Sequence, residues 1–296
     1  MSIRWGVSPI AWANDDMPEL GGDTPLESIL GDIRDLGFEG VELGGKFPRD
    51  AASLKPLLTR YGIDLIGGWY SGALLERDAS AEIDALQTHL ALLKTMGSNV
   101  FVFAETSNAV HGNRAVPLSG APRLAAADWG RFGARMTEVA DYIAAQGLRF
   151  AYHHHLGTVV ETGADLDAFI GATGDAVGLT LDTGHAALGG VDALAVVARH
   201  PSRVAHVHCK DVRWEAFKAA RGGGLSFLDG VIAGMFTVPG DGGLDYLAFM
   251  QALKGMNYSG WIVLEAEQDP AKADPREYAE LGLRSLKARA AEAELV

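Results

Sequence analysis

Along the chain, short apolar runs alternate with longer stretches in which apolar positions recur every three or four residues and stop at a glycine. The short runs are "WGVSPI" (5–10), "GVELGG" (40–45), "IDLIGGWY" (63–70), "NVFVFAE" (99–105), "RFAYHHH" (149–155), "VGLTLDTGH" (177–185), "VAHVHCKD" (204–211) and "GWIVLEAE" (260–267). Their length and content predict eight strands. The longer stretches predict helices, among them 25–37, 81–97, 129–147, 244–256 and a closing one over 276–295. Strands separated by helices pair in parallel, because a parallel connection needs a crossover.

Eight such units predict an α/β fold, a (β/α)8 TIM barrel over residues 1–296 as a single domain. The alternative is an open doubly wound sheet, and the first strand argues against it: "SPIAWANDD" carries no glycine-rich phosphate turn. The glycines of "RGGGL" (221–225) lack a strand before them and read as loop. The longest irregular pieces, 106–127 and 212–242, both follow strands and so are expected over the barrel mouth.

A barrel strand is apolar along its length, so polar residues at its C-terminal end stand out. They recur here: Glu42, Glu105, His153 and His155, Asp182 and His185, then His206, His208, Lys210 and Asp211, and finally Glu265 and Glu267. Alternation along each strand assigns them to faces. Ala151, His153 and His155 point to the barrel axis while Phe150, Tyr152 and His154 point to the helices; Gly178, Thr180 and Asp182 point inward, as do His206, His208 and Lys210, and Trp261, Val263 and Glu265.

His153, Asp182, His208 and Glu265 therefore sit at comparable heights on four adjacent strands. Imidazole and carboxylate without thiolate suit a borderline divalent cation, with Mn²⁺ or Co²⁺ preferred over Fe²⁺ and Zn²⁺, and all of these over Ca²⁺. A buried charge network without metal is the competing reading, since buried carboxylates and histidines also satisfy one another. Cys209 alternates outward and reads as a packed thiol.

Composition narrows the partners. The net charge of −13 repels a phosphate backbone, so nucleic acid is not expected. The opening "MSIRWGVSPI" has no apolar leader, no run approaches the roughly 20 residues of a membrane span, and the lone cysteine forms no internal disulfide. A cytoplasmic location is the expectation.

Six segments in order, "GVSPIAWANDDMPELGGD", "YHHHLGTVVET", "DTGHA", "HVHCKDVR", "FTVPGDG" and "EAEQDP", span nearly the whole chain. Together they resemble the inosose dehydratase family of the xylose-isomerase-like TIM barrels. The resemblance implies loss of water from 2-keto-myo-inositol (scyllo-inosose) to a trihydroxycyclohexane-1,2-dione, through a metal-stabilised enolate. The superfamily's metal ligands on strands five to eight are Glu, Asp, His and Glu; the last three fall on Asp182, His208 and Glu265. At the first place stands His153, which either becomes a ligand or leaves three protein ligands with water and substrate, Glu161 being a further substitute.

On that basis His155 or His185 is expected as general base or acid, and Lys210 as a cation for the enolate. Trp12, Asn14, Glu42, Glu105 and Asp211 are expected to bind ring hydroxyls, with Asp211 alternatively orienting Lys210 or a histidine. The resemblance also suggests a glutathione dependence and association into a homo-oligomer. The partner implied is a small cyclitol or sugar. Three other functions use the same barrel: a sugar isomerase or epimerase, an endonuclease acting at abasic sites, and a non-catalytic sugar-binding protein. The charge argues against the endonuclease.

Overall fold

The computed structural model describes residues 3–296. Its strands are β1 (Ile3–Val7), β2 (Gly40–Leu43), β3 (Asp64–Gly72), β4 (Val100–Glu105), β5 (Arg149–His153), β6 (Gly178–Asp182), β7 (Val204–Cys209), β8 (Asp211–Val212), β9 (Phe236–Thr237) and β10 (Gly260–Leu264). All eight expected runs form strands, and they close into one parallel barrel in the order β1-β10-β7-β6-β5-β4-β3-β2. The helices are α1 (Leu26–Leu36), α2 (Ala51–Tyr61), α3 (Ala79–Met96), α4 (Trp129–Ala145), α5 (Gly163–Ala172), α6 (Thr183–Gly189), α7 (Ala193–Arg199), α8 (Trp214–Gly222), α9 (Phe227–Ile232), α10 (Tyr246–Gly255) and α11 (Pro275–Glu292). None is long and apolar enough to cross a membrane, among the described residues.

Two layers of apolar side chains follow from the alternation. Ile66, Val100, Val102, Ala151, Ala205, Trp261 and Val263 fill the barrel axis. Phe101, Phe103, Phe150 and Tyr152 face the helices and are buried there. The axis has room for Trp261 because Gly40 lies beside it; a Cβ on Gly40 would stand 2.6 Å from the indole. Helix ends match the sequence signals. Asp50, Asp78 and Thr162 accept backbone N–H groups at the starts of α2, α3 and α5. Gly37 and Gly97 adopt φ of 83° just past α1 and α3.

Several boundaries differ from expectation; β7 stops at Cys209 and β10 at Leu264, so Lys210, Glu265 and Glu267 follow their strands. β6 stops at Asp182, whose side chain caps α6, so His185 lies in the first turn of that helix and not on the strand. β5 stops at His153, and His155 lies in the following loop. The stretch 212–242 is not irregular: α8, α9 and the antiparallel pair β8–β9 build a second apolar cluster, with Phe217, Phe227, Met235 and Phe236 packed on Leu156 and Leu188. The 106–127 loop is pinned beside it by Leu118 N–H to the Leu225 carbonyl at 2.8 Å and Val110 N–H to the Gly157 carbonyl at 2.8 Å.

Candidate active site

The C-terminal ends of the strands surround a cavity of about 170 Å³, below the roughly 300–1,000 Å³ usual for ligand clefts. It suits a small, compact substrate. Glu42, Trp69, His153, His155, His208, Glu265 and Glu267 line it.

Hydrogen bonds fix which atoms face the cavity. His153 closes β5, and its Nδ1–H donates to the His154 carbonyl at 2.8 Å, which leaves Nε2 with a free lone pair. Nε2 is 3.7 Å from Asp182 Oδ2. Asp182 spends Oδ1 on capping α6, accepting His185 N–H at 2.8 Å. Its Oδ2 has no hydrogen-bond partner among the described residues, although it is buried and lies 3.7 Å from His208 Nδ1 and 3.6 Å from Lys210 Nζ. His208 Nε2 is 3.0 Å from Glu42 Oε1 and Nδ1 is 2.6 Å from Glu265 Oε2.

His153, Asp182, His208 and Glu265 each offer a ligand atom, and the four atoms lie within 4.8 Å of one another. An unpartnered carboxylate oxygen in a buried site costs on the order of 1–3 kcal/mol, more if charged. A divalent cation among these four atoms would remove that cost, so the donor set fits a metal. The flanking bonds fit too, because a ligating imidazole usually donates its other N–H to a carbonyl or carboxylate, as His153 does to a carbonyl and His208 to Glu42.

The electrostatics are those of a compact charge cluster. Burial pushes the Asp182 and Glu265 carboxyls up, but the Lys210 ammonium outweighs it and holds both well below the carboxylate range. Burial pulls His208 down, and Glu42 and Glu265 outweigh that, raising it well above 6.5. Glu42, buried but paired with His208 and His206, is lowered to about 2.

A second group adjoins the first. The His155 and His185 rings lie against one another, tilted by 36°, with centroids 3.7 Å apart. His155 Nδ1–H donates to the Leu156 carbonyl at 2.7 Å, leaving Nε2 as an acceptor. Lys210 Nζ donates to His185 Nε2 at 2.9 Å and contacts Glu267 Oε1 at 2.6 Å and Glu265 Oε1 at 2.7 Å. Burial first, then neighbouring cations, push both imidazoles well below 6.5. Burial raises the Glu267 carboxyl despite Lys210, while Asp182, Glu265 and Glu267 raise Lys210 above its ordinary range against burial. His185 and Lys210 are fully buried behind His155 and Glu267, which face the cavity.

Four expected substrate contacts are not brought to the cavity. Trp12 donates Nε1–H to Asp32 Oδ2 at 3.0 Å and packs in the core. Asn14 Oδ1 accepts the N–H groups of Asp16 and Met17. Glu105 accepts Leu74 N–H at 2.6 Å and Ser107 N–H at 3.0 Å, tying two loops. Asp211 accepts Val212 and Leu244 N–H, fastening the loop before α10, and its carboxylate bonds to neither Lys210 nor a histidine. Glu161 accepts Gly157 N–H at 2.7 Å and stands apart from the His153 group. Glu42 lines the cavity, with one oxygen taken by two histidines.

Trp69 was not expected. It lines the cavity and lies against His153 and His155, at centroid distances of 5.3 and 5.6 Å. Strict alternation from Ile66 would turn it outward, but β3 holds one extra residue against β2, where Val41 pairs with Leu65 and Leu43 with Gly68. The signal was the double glycine before it, which marks a bulge. Arg49, Asp15 and Asp16 also reach the cavity from loops.

The family described as xylose isomerase-like TIM barrel matches residues 30–289. The rhizopine catabolism protein MocC of Rhizobium meliloti is 48% identical over 293 residues, 99% of this chain and 90% of its own length. Inosose dehydratases of Geobacillus thermodenitrificans and Erwinia tasmaniensis are each 39% identical, covering 94% of both chains. Among solved structures, a xylose isomerase domain protein of Alicyclobacillus acidocaldarius superposes with a TM-score of 0.70 at 19% identity, covering 99% of this chain and 100% of its own. An L-ribulose 3-epimerase does so at 0.67 and 18%, covering 100% and 98%. At those identities the likeness is one of fold.

Proposed function

The chain belongs to the xylose isomerase-like TIM barrel family, and from that membership we propose that it is an inosose dehydratase, a hydro-lyase acting on 2-keto-myo-inositol. The observation that carries this reading is the adjacency of two groups: a donor set with an unpartnered Asp182 oxygen, and a neutral His155 facing the same cavity.

Elimination beside a ketone takes a proton from the α carbon and expels the hydroxyl on the β carbon. His153, Asp182, His208 and Glu265 would hold a divalent cation, Mn²⁺ or Co²⁺ by preference, which supplies Lewis acidity at the keto oxygen when bound. His155 takes the α proton at Nε2, the atom its bond to the Leu156 carbonyl leaves free. Its depressed basicity is offset by the acidity of a carbon beside a polarised carbonyl. Glu267, kept protonated more readily by burial, gives a proton to the departing hydroxyl, which leaves as water. The proton gained by His155 balances the one lost by Glu267. Lys210 acts from behind as a fixed positive charge between Glu265 and Glu267, and Trp69 covers one side of the cavity.

The 48% identity to MocC favours one second reading, in which the substrate is a compound of rhizopine breakdown handled by the same base and acid. Incubation with 2-keto-myo-inositol and Mn²⁺ or Co²⁺ tests the first reading by the ultraviolet absorbance of the enolic dione. No absorbance change, with an epimerised ketose as the product of a ketose incubation, overturns it in favour of an epimerase.

A further inference from the structure

A second cavity lies outside the barrel, between α6, α7 and α10, and at about 360 Å³ it is roomier than the first. Tyr246 and Phe249 line it with Thr183 and Val191, and Leu194 and Trp214 flank it. Few large apolar side chains remain exposed among the described residues, and two of them, Leu194 at 39% and Trp214 at 38%, meet at this groove. Trp214 is seated on Gly243, where a Cβ would stand 2.8 Å from the indole Cδ1 and displace the ring.

The polar side chains the groove offers are acceptors. Among the described residues no Lys, Arg or His lines it, and its two charged residues are Asp192 and Asp245, both exposed. Each uses Oδ1 to cap a helix, Asp192 for Leu194 and Ala195 and Asp245 for Ala248, and neither has an ion-pair partner among the described residues. Tyr246 Oη is 2.8 Å from Thr183 Oγ1, whose single proton has the Lys210 carbonyl at 2.9 Å, so the tyrosine donates to the threonine.

We propose that this groove binds an organic ammonium compound with an aromatic or branched apolar body. The body fills the apolar bed, and the ammonium sits near the Trp214 ring and the two carboxylates. A second copy of the chain is a poorer occupant, because each copy carries a net charge of −13.

Calorimetric titration of the full chain with phenethylammonium, 2-phenylethanol and phenylacetate at low ionic strength tests this directly and needs no catalytic activity. Phenethylammonium is expected to bind at least tenfold more tightly than the alcohol, with phenylacetate weakest. In the Asp192→Asn/Asp245→Asn variant, which keeps both helix caps, that preference should shrink at least threefold. Trp214→Leu should weaken both probes, the ammonium more than the alcohol, because the indole serves as apolar bed for both and as a cation–π partner for the ammonium alone. Equal binding of the three probes, or binding of none, overturns the proposal. So does an oligomer in sedimentation that Leu194→Lys dissociates, which would assign the groove to a second copy.

Discussion

The ring of His155 lies against that of His185, 3.7 Å between centroids and tilted by 36°, and Lys210 Nζ donates to His185 Nε2 at 2.9 Å. Burial, and with it the ammonium held between Glu265 and Glu267, disfavours a positive charge on the adjacent imidazole and holds both rings of the pair well below 6.5. This arrangement gives the cavity-facing member a free lone pair at neutral pH, and it separates the roles of two histidines that look alike in sequence.

Replacing His155 by Gln should lower kcat by about 10²–10⁴-fold, the usual contribution of a general base. KM and bound metal should change little, because His155 is outside the proposed ligand set. Steady-state kinetics with metal analysis on the same preparation checks both.

Asp182→Asn keeps the α6 cap, since asparagine caps as well as aspartate, while removing the charge at the donor set. Metal retention after gel filtration should fall at least tenfold with circular dichroism unchanged. His208→Ala should lose metal as well, and Glu161→Gln should not.

Lys210→Met leaves Asp182, Glu265 and Glu267 buried together without their cation. Breaking a buried pair in this way costs about 3–5 kcal/mol. Urea unfolding of the metal-free variant should show that loss relative to the metal-free parent.

His89 packs half-buried against β3 with Nε2 at 3.2 Å from the Gly68 carbonyl, and this partial burial lowers its pKa from 6.5 to about 4. A group with a depressed folded pKa contributes its stability above the unfolded value and loses it as pH falls toward the folded one. Between pH 6.5 and 4 this single group should therefore cost on the order of 3 kcal/mol. Unfolding free energies measured across that window should fall less steeply for His89→Gln than for the parent.

The barrel was legible because parallel strands buried on both faces leave eight apolar runs, and because helix ends carry Asp and Gly at fixed places. The inward placement of His153, Asp182, His208 and Glu265 followed from alternation alone. What alternation could not tell was the partner of a polar strand end: Glu105 and Asp211 carry the same signature as Glu265, yet backbone N–H groups of neighbouring loops claim them. Nor could it follow β3 past its bulge, which turned Trp69 inward. "DTGH" read as strand because its helix has only seven residues and begins on the aspartate itself.

The most direct test of the account is the rate of dione formation from 2-keto-myo-inositol by protein stripped with a chelator and then reloaded. Stripped protein should be inactive and Mn²⁺ or Co²⁺ should restore the rate, but not in Asp182→Asn. Equal rates in the stripped and reloaded protein would contradict the account.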